Sequence, residues 1–499
     1  MASGIQIQVI IECKRAILAN SHIGTVHISN PGLIRLWTNA KNADIRTLRI
    51  ENSYVQLDDK FSILFGQKGV NERPIYLDDN STLKLNNTDL IAGISDAALI
   101  KWNHPYYLIE NDNGSVEGKF GKLLTQRYEN EDLDIKAYWG DPNEKGKHAA
   151  VAFNLRYDPK HSVTALGVEG SLTVADTMMD KAIDSNGIGR TRMAGREIFL
   201  AQNDKSLTAS DVGPALAVYN KPKNTFYIYP FYTRIDGNGL KYDADVLGGV
   251  FGLEHTFGDR YRVGFFGGYA HADVDYSVKG ASGEDQDIYI GGLYADRLAT
   301  EVSPLYMGLA VDAYYADHNN YDGRTGLNYE LKEDADYNSW GMNGRATVGY
   351  QFSGKDWNVM PNVGLGITYW NLNSFTTKVP ENSAWDRHYS SDHNTYGTAM
   401  AGVTGIKYWG EEDKRFSIGG LLRAEETIGD NDIDIEQSIP ALKTGEADVE
   451  ENVGDFSVLG QLELGLRLHN KYTLSLSGGS KYNSDYATYG GRLTFKMAF

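Results

Sequence analysis

The side chains best suited to chemistry are few and scattered along the chain. His388 and His393 lie close together in the polar stretch "HYSSDH", where two imidazoles could reach one metal ion, but a protein metal site needs three or four convergent ligands and the pair falls short. The run from Gly429 to Gln437, "GDNDIDIEQ", gathers carboxylates as calcium loops do. It lacks their central glycine and terminal bidentate glutamate, so it reads as a solvated charge run. No GxSxG elbow, HExxH pair or GxxxxGK[ST] loop occurs in the sequence, and each of those motifs supplies a geometry that its chemistry requires. No catalytic residue, metal or cofactor is therefore assigned, and the expectation is a protein that is not an enzyme. The asparagine pairs Asn86-Asn87 and Asn319-Asn320 read as turns. The most coherent charged set is Arg345, Arg423, Glu425, Glu463, Arg467, Arg492 and Lys496. Each alternates with apolar neighbours, so the set describes paired charges lining a wet interior.

What would hold such a set is visible in the last ten residues, "GGRLTFKMAF". Leu493, Phe495, Met497 and Phe499 fall on one side and Arg492, Thr494 and Lys496 on the other, which is the period of a β-strand between two media. The same alternation fills "FSVLGQLELGLRLHN" from Phe456 to Asn470 and recurs from about Thr225 onward in twelve stretches, beginning with "TFYIYPFYT". The connections alternate in length. "GDR", "SGKD" and "GEEDK" follow strands 2, 6 and 8, whereas long polar segments from Asp317, Asn371 and Thr427 follow strands 5, 7 and 9. Short turns on one rim and long loops on the other, with an even strand count, describe a closed antiparallel barrel in a membrane. The expected loops are those around Asp322 to Asp336, Lys378 to His393 and Asp430 to Val453.

Composition agrees. The 499 residues contain 54 Gly and 32 Tyr but only 12 Pro and one cysteine, Cys13, which excludes an internal disulfide framework. The net charge of −18 excludes nucleic acid as a partner. No apolar run reaches the length of a membrane-spanning helix, and the mean hydropathy is negative, as expected of a barrel whose strands carry apolar residues on one face only. The start, "MASGIQIQVIIECKRAIL", is not a signal peptide, because Glu12, Lys14 and Arg15 interrupt the apolar stretch; the expectation is a fragment of a longer precursor or a chain that is not exported.

Upstream, "LRIENSYVQLDD", "STLKLNNTDLIAG" and "NGSVEGKFGKLL" are short strands separated by Asn, Asp and Gly turns. They fit the coils of a parallel β-solenoid or an ordinary small β domain, and no fixed repeat decides between them. Between these strands and the barrel stand two helical candidates, "VADTMMDKAI" from Val174 to Ile183 and "SDVGPALAVYN" from Ser210 to Asn220. The second lies nearer strand 1 and is the expected lumenal segment.

The patterns "YPFYT", "VLGGVFGLEHTFGDRYRVGFFGGYAHADVDY", "MPNVGLGITYW" and the terminal "GGRLTFKMAF" resemble the translocator domain of classical autotransporters (type V secretion). The resemblance covers Thr225 to Phe499. It implies an all-β fold with a 12-stranded antiparallel transmembrane barrel in the Gram-negative outer membrane, a helix in its lumen, and an N-terminal passenger at the cell surface, adhesion being a candidate role. The corresponding division is a β-rich passenger over residues 1–171, a linker over 172–223 and a barrel over 224–499. The resemblance further implies that Gly491, Leu493, Phe495, Met497 and Phe499 form the signal read by the barrel assembly machinery. The partners are that machinery and outer-membrane lipid, the passenger's ligand is unknown, and the chain is expected to be a monomer. Some relatives cut their linker between two consecutive asparagines; here Asn186, Asn203 and Asn220 stand singly, which argues against that route. The alternatives are a porin-like outer-membrane channel and a secreted soluble β-rich enzyme.

Overall fold

The protein was analysed as a computed structural model. It describes residues 8–10, 15–18, 22–28, 33–38, 44–66, 74–94, 99–111, 114–125, 133–140, 149–157, 167–176, 178 and 224–499, the last without 238–241, 258–259, 278–282, 300–302, 325–331, 355, 381–382, 411–413, 443–446, 452–454 and 470. Side chains are described from residue 48 onward.

Alternating apolar residues and glycine-rich turns build twelve long strands: β1 (Asn224–Gly237), β2 (Tyr242–Phe257), β3 (Tyr261–Tyr276), β4 (Gly283–Arg297), β5 (Leu305–Arg324) and β6 (Lys332–Tyr350). These are followed by β7 (Trp357–Leu372), β8 (Asp392–Gly410), β9 (Lys414–Ile428), β10 (Phe456–Leu468), β11 (Tyr472–Tyr482) and β12 (Ala487–Ala498). Each pairs antiparallel with its neighbour, and β12 returns to β1 with Thr225 opposite Ala498 and Asp236 opposite Ala487. The backbones of Asn224 and Phe499 exchange two hydrogen bonds of 3.0 and 2.9 Å, so the sheet has no free edge, the condition for crossing a bilayer with strands.

The outer surface is a band of exposed apolar residues, among them Leu247, Leu293, Leu365, Leu462 and Leu464. Aromatic residues fringe it on both rims: Phe257, Tyr261, Tyr350, Trp357, Trp409 and Phe499 beside the short turns, and Tyr232, Tyr269, Tyr289 and Tyr315 towards the loops. An apolar belt between two aromatic girdles is the outline a membrane imposes. On the loop side the ring hydroxyls of Tyr232, Tyr269 and Tyr315 donate to Asp245, Asp287 and Asp317, carrying the surface from hydrocarbon into water.

The long loops are more ordered than their composition implies. Most of the stretch around Asp322 to Asp336 continues β5 and β6 as a projecting hairpin, paired out to Arg324 opposite Lys332, with a register shift between Asn320 and Gly323. Asn319-Asn320 is thus strand rather than turn, whereas Asn86 and Asn87 do turn the chain, with φ of 49° and 53°. One face of the hairpin stays buried at His318, Glu333, Ala335 and Tyr337, but polar residues occur on both faces, so no apolar alternation betrays it. The segments between β7 and β8 and between β9 and β10 form a small sheet from Phe375–Thr376, His388–Tyr389, Ile433–Ser438 and Ala447–Glu451. The acidic run is therefore not simply solvated: Ile433 and Ile435 are fully buried while Asp434 and Glu436 point outward.

Upstream of the barrel the strands stack in parallel in two sheets, with Arg15 opposite Arg35, Leu33 opposite Tyr54, Tyr54 opposite Thr82 and Thr82 opposite Ser115 in one of them. That is the ladder of a β-solenoid. Its coils lengthen from about 20 residues to about 33 along the chain, so no fixed repeat shows in the sequence. Leu133–Trp139 and Ala150–Tyr157, which follow the last coils, form an antiparallel sheet with Tyr106–Tyr107. One core holds Phe61, Phe65, Phe120 and Phe153 together with Val379, Trp385, Ile439 and Leu442 from the barrel's loops. The N-terminal domain thus sits on the loop rim.

Candidate functional site in the barrel lumen

A helix over 167–176, extended by Met178, lies inside the ring. Val168, Leu172, Val174, Ala175 and Met178 are buried against an inner wall built by β1 to β6, where Tyr227, Tyr229, Phe231, Tyr242, Phe266 and Tyr314 face inward. Half of the lumen is thus aromatic and not polar, the apolar face of the helix being what covers it. Glycines make room for the rings: at Gly252 a Cβ would run into the Tyr227 side chain. The helix begins five residues before the expected start of the linker at residue 172, and it overlaps the upstream candidate. Ser210 to Asn220, the candidate preferred from the sequence, and the three single asparagines lie outside the described residues. The preference rested on distance along the chain to strand 1. Packing places in the lumen a segment whose buried face is a continuous apolar stripe.

Two polar clusters fix the helix. Near the loop rim the Glu284 carboxylate accepts hydrogen bonds from Tyr276 at 3.0 Å, Tyr337 at 2.7 Å and Gln286 at 2.8 Å, and lies 2.8 Å from His318 Nδ1. The carboxylate sets the tautomer, with the hydrogen on Nδ1 and the lone pair on Nε2; Nε2 faces Ser339 Oγ at 2.9 Å and Ser171 Oγ, on the helix, at 3.3 Å. Ser171 also donates to Gln286 Oε1 at 2.9 Å, and Gln286 Nε2 donates to the Gly167 carbonyl at 3.1 Å. A Cβ on Gly167 would lie 2.7 Å from the Glu284 oxygens, so only glycine brings the helix this close.

At the other end Asp176 pairs with Lys481 and lies 4.0 Å from Arg345. Lys481 in turn is 2.9 Å from Glu425, which Arg423 approaches at 2.7 Å. A cavity of about 60 Å³ beside the helix is lined by Leu172, Thr173, Asp176, Arg345, Glu425 and Lys481. Towards the turn rim a third network joins Arg262 to Asp296 and, at 3.5 Å, Glu254.

Of the charged residues expected inside, Arg345, Arg423, Glu425, Glu463 and Arg492 are buried, with Arg492 3.7 Å from Glu463 and stacked over Tyr229 at 5.5 Å. Arg467 and Lys496 are half-buried, and Lys496 lies over Tyr227 at 5.9 Å. The sequence reading missed Asp176, Lys481, Glu284 and His318. Their inward parity is detectable within each strand, but Glu284 alternates with Asp285 and Asp287, so polarity alone does not separate the faces. On β12, Leu493 and Phe495 are exposed on the outer face, Gly491 and Met497 are half-buried, and Phe499 is exposed at the rim. His388 contacts Thr376 at 3.2 Å and His393 opens β8, so the two histidines sit on different strands.

Among solved structures, the β domain of the Bordetella autotransporter BrkA has 16% identity and a TM-score of 0.41, covering 56% of this chain and 100% of its own. The translocator domain of NalP from Neisseria meningitidis has 11% identity and a TM-score of 0.42, covering 60% and 96%. The transport unit of AIDA-I from Escherichia coli has 12% identity and a TM-score of 0.39, covering 63% and 98%. No curated protein matches the chain. The assignment rests on the family model of the Autotransporter beta-domain, which matches residues 226–479. With its closed 12-stranded barrel in the outer membrane and a helix in the lumen, the chain belongs to the autotransporters.

Proposed function

We propose that the barrel secretes its own N-terminal domain and holds it at the cell surface, with the helix as the last segment of the translocated chain. The supporting observation is the helix at 167–176, packed in the lumen between an N-terminal domain seated on the loop rim and a first barrel strand that starts at the turn rim. In this reading the loop rim faces outside, the N-terminal domain binds rather than catalyses, with adhesion a candidate role, and the protein acts as a monomer surrounded by outer-membrane lipid. In a Cys13→Ser background, Ser383→Cys on the loop side should label in intact cells with an impermeant thiol reagent, and Arg260→Cys in a short turn should not. Labelling at 260 with protection at 383 would invert the topology and sink the reading.

The terminal strand is read here as the address for the assembly machinery, carried by Gly491, Leu493, Phe495, Met497 and Phe499. Deleting Phe499 removes two backbone hydrogen bonds with Asn224, worth about 1–3 kcal/mol together, so refolding of the purified barrel in detergent should suffer only modestly. The heat-modifiable form in outer membranes should fall sharply. Equal losses in both settings would leave the residue a structural role only.

A further inference from the structure

Near the turn rim the outer wall of the barrel carries a groove of about 710 Å³, inside the size range of ligand clefts, about 300–1,000 Å³. A rung of the sheet forms its floor: Asn224 lies opposite His255, His255 opposite Val263, Val263 opposite Ala295 and Ala295 opposite Leu309. The exposed methyl of Ala295 is the smallest side chain on that rung. Phe265 and Leu293 stand opposite each other on the next rung towards the middle of the bilayer and also line the groove. The groove is continuous with the apolar belt, so its occupant comes from the lipid that surrounds the belt.

Two residues there are polar where hydrocarbon alone would favour apolar ones. His255 lines the groove, with Nδ1 2.7 Å from Asn224 Oδ1. Arg297 follows Ala295 by two residues, on the same outward face of β4 and nearer the rim, between the girdle residue Tyr261 and Met307. Its guanidinium is held in place by two hydrogen bonds, which Nη1 donates to the Leu305 carbonyl at 2.7 Å and Nη2 to Ser303 Oγ at 2.6 Å. Both acceptors are uncharged, so neither neutralises it, and a guanidinium has N–H donors to spare beyond these two.

We infer that this is a binding site for one glycerophospholipid, with an acyl chain along the groove over Ala295 and the phosphate on Arg297. An arginine fork fixed beforehand matches the oxygens of a phosphate and loses little freedom in binding it. The apolar cleft begins one rung away from that charge, which is the order of parts in a phospholipid. A diacylglycerol would fill the cleft and leave the guanidinium unmet; inorganic phosphate would do the reverse. The site needs the closed barrel in a bilayer and is independent of the secretion reading.

The test is native mass spectrometry of the full chain, purified from outer membranes, stripped of lipid by detergent exchange and titrated with dioleoylphosphatidylglycerol or with dioleoylglycerol, which has the same chains and no phosphate. Heat-modifiability is the folding control in every variant. Binding of the phospholipid should saturate at one molecule per barrel, and dioleoylglycerol should bind on the order of tenfold more weakly, the worth of one charge-assisted hydrogen bond. Arg297→Gln should erase that preference and Arg297→Lys keep part of it. Ala295→Trp, which fills the floor with a ring that surrounding lipid accommodates, should weaken both ligands, and Leu464→Trp on the far wall neither. No binding, equal binding of the two lipids, a preference that survives Arg297→Gln, or full binding to Ala295→Trp would overturn the inference. So would lipid that accumulates without saturating, the mark of a general coat on the belt.

Discussion

Leu464→Arg should cost about 2–4 kcal/mol of barrel stability, the penalty for a lipid-facing arginine at the middle of the bilayer. Leu464 is 58% exposed on the outer face of β10 and pairs with Leu476 and Ile418, which are also exposed. An arginine there has only hydrocarbon around it. Gln461 lies three residues earlier on the inner face, in a cavity it shares with Ser477 and Arg492. Gln461→Arg should therefore be far milder, since its charge stays in the polar half of the lumen. The measurement is the urea midpoint of each variant refolded into lipid vesicles. Equal shifts would mean that the two faces of β10 meet the same medium, and the bilayer assignment would fail.

Asp176→Arg should turn a closed pore into a conducting one. The carboxylate links the helix to Lys481 and Arg345. Reversing its charge sets a third cation against those two, with Glu425 already engaged by Arg423 and Lys481. Breaking a buried pair costs about 3–5 kcal/mol. The Asp176 side chain keeps 32% of its exposure, so the effect belongs near the lower end. That is enough to shift a short helix held otherwise by apolar contacts and the Glu284 cluster. In planar bilayers the wild-type chain should show no steady large conductance, Asp176→Glu should match it, and Asp176→Arg should open. A wild-type chain that conducts steadily would favour an open channel over a lumen filled by its own chain. A silent Asp176→Arg would show that the ion pairs do not hold the plug.

Where a bilayer dictates the pattern, the sequence speaks clearly. Leu462, Leu464 and Leu466 have to face lipid while Gln461 and Glu463 face the lumen, so the strands and their order could be read residue by residue. The pattern fades where the medium stops differing. The β5–β6 hairpin beyond Asp317 carries polar residues on both faces, with His318 and Glu333 among those turned inward, so its sequence reads as a loop. In the N-terminal domain each coil buries one side of a short strand, as Val55, Leu83 and Leu90 do, so strands were recognisable while the changing coil length hid their stacking. The lumenal clusters were hardest. Glu284, His318 and Ser171 are drawn from distant parts of the chain, and only ring closure makes them neighbours.

The mutual hydrogen bonds of Asn224 and Phe499 also impose an order of events. The ring closes by joining residues at opposite ends of the barrel sequence, a contact of great sequence separation, and such contacts form late. It cannot shut until residue 499 is present. Once it has shut around the helix, the folded N-terminal domain seated on the loop rim bars the helix from leaving on that side. The finished molecule is a thread caught in a noose made from its own tail. So long as the chain is whole, withdrawing the helix requires parting β1 from β12 or unfolding the domain outside, and the persistence of the assembly is then set by the rate of that opening, whatever the equilibrium affinity of the helix for the wall.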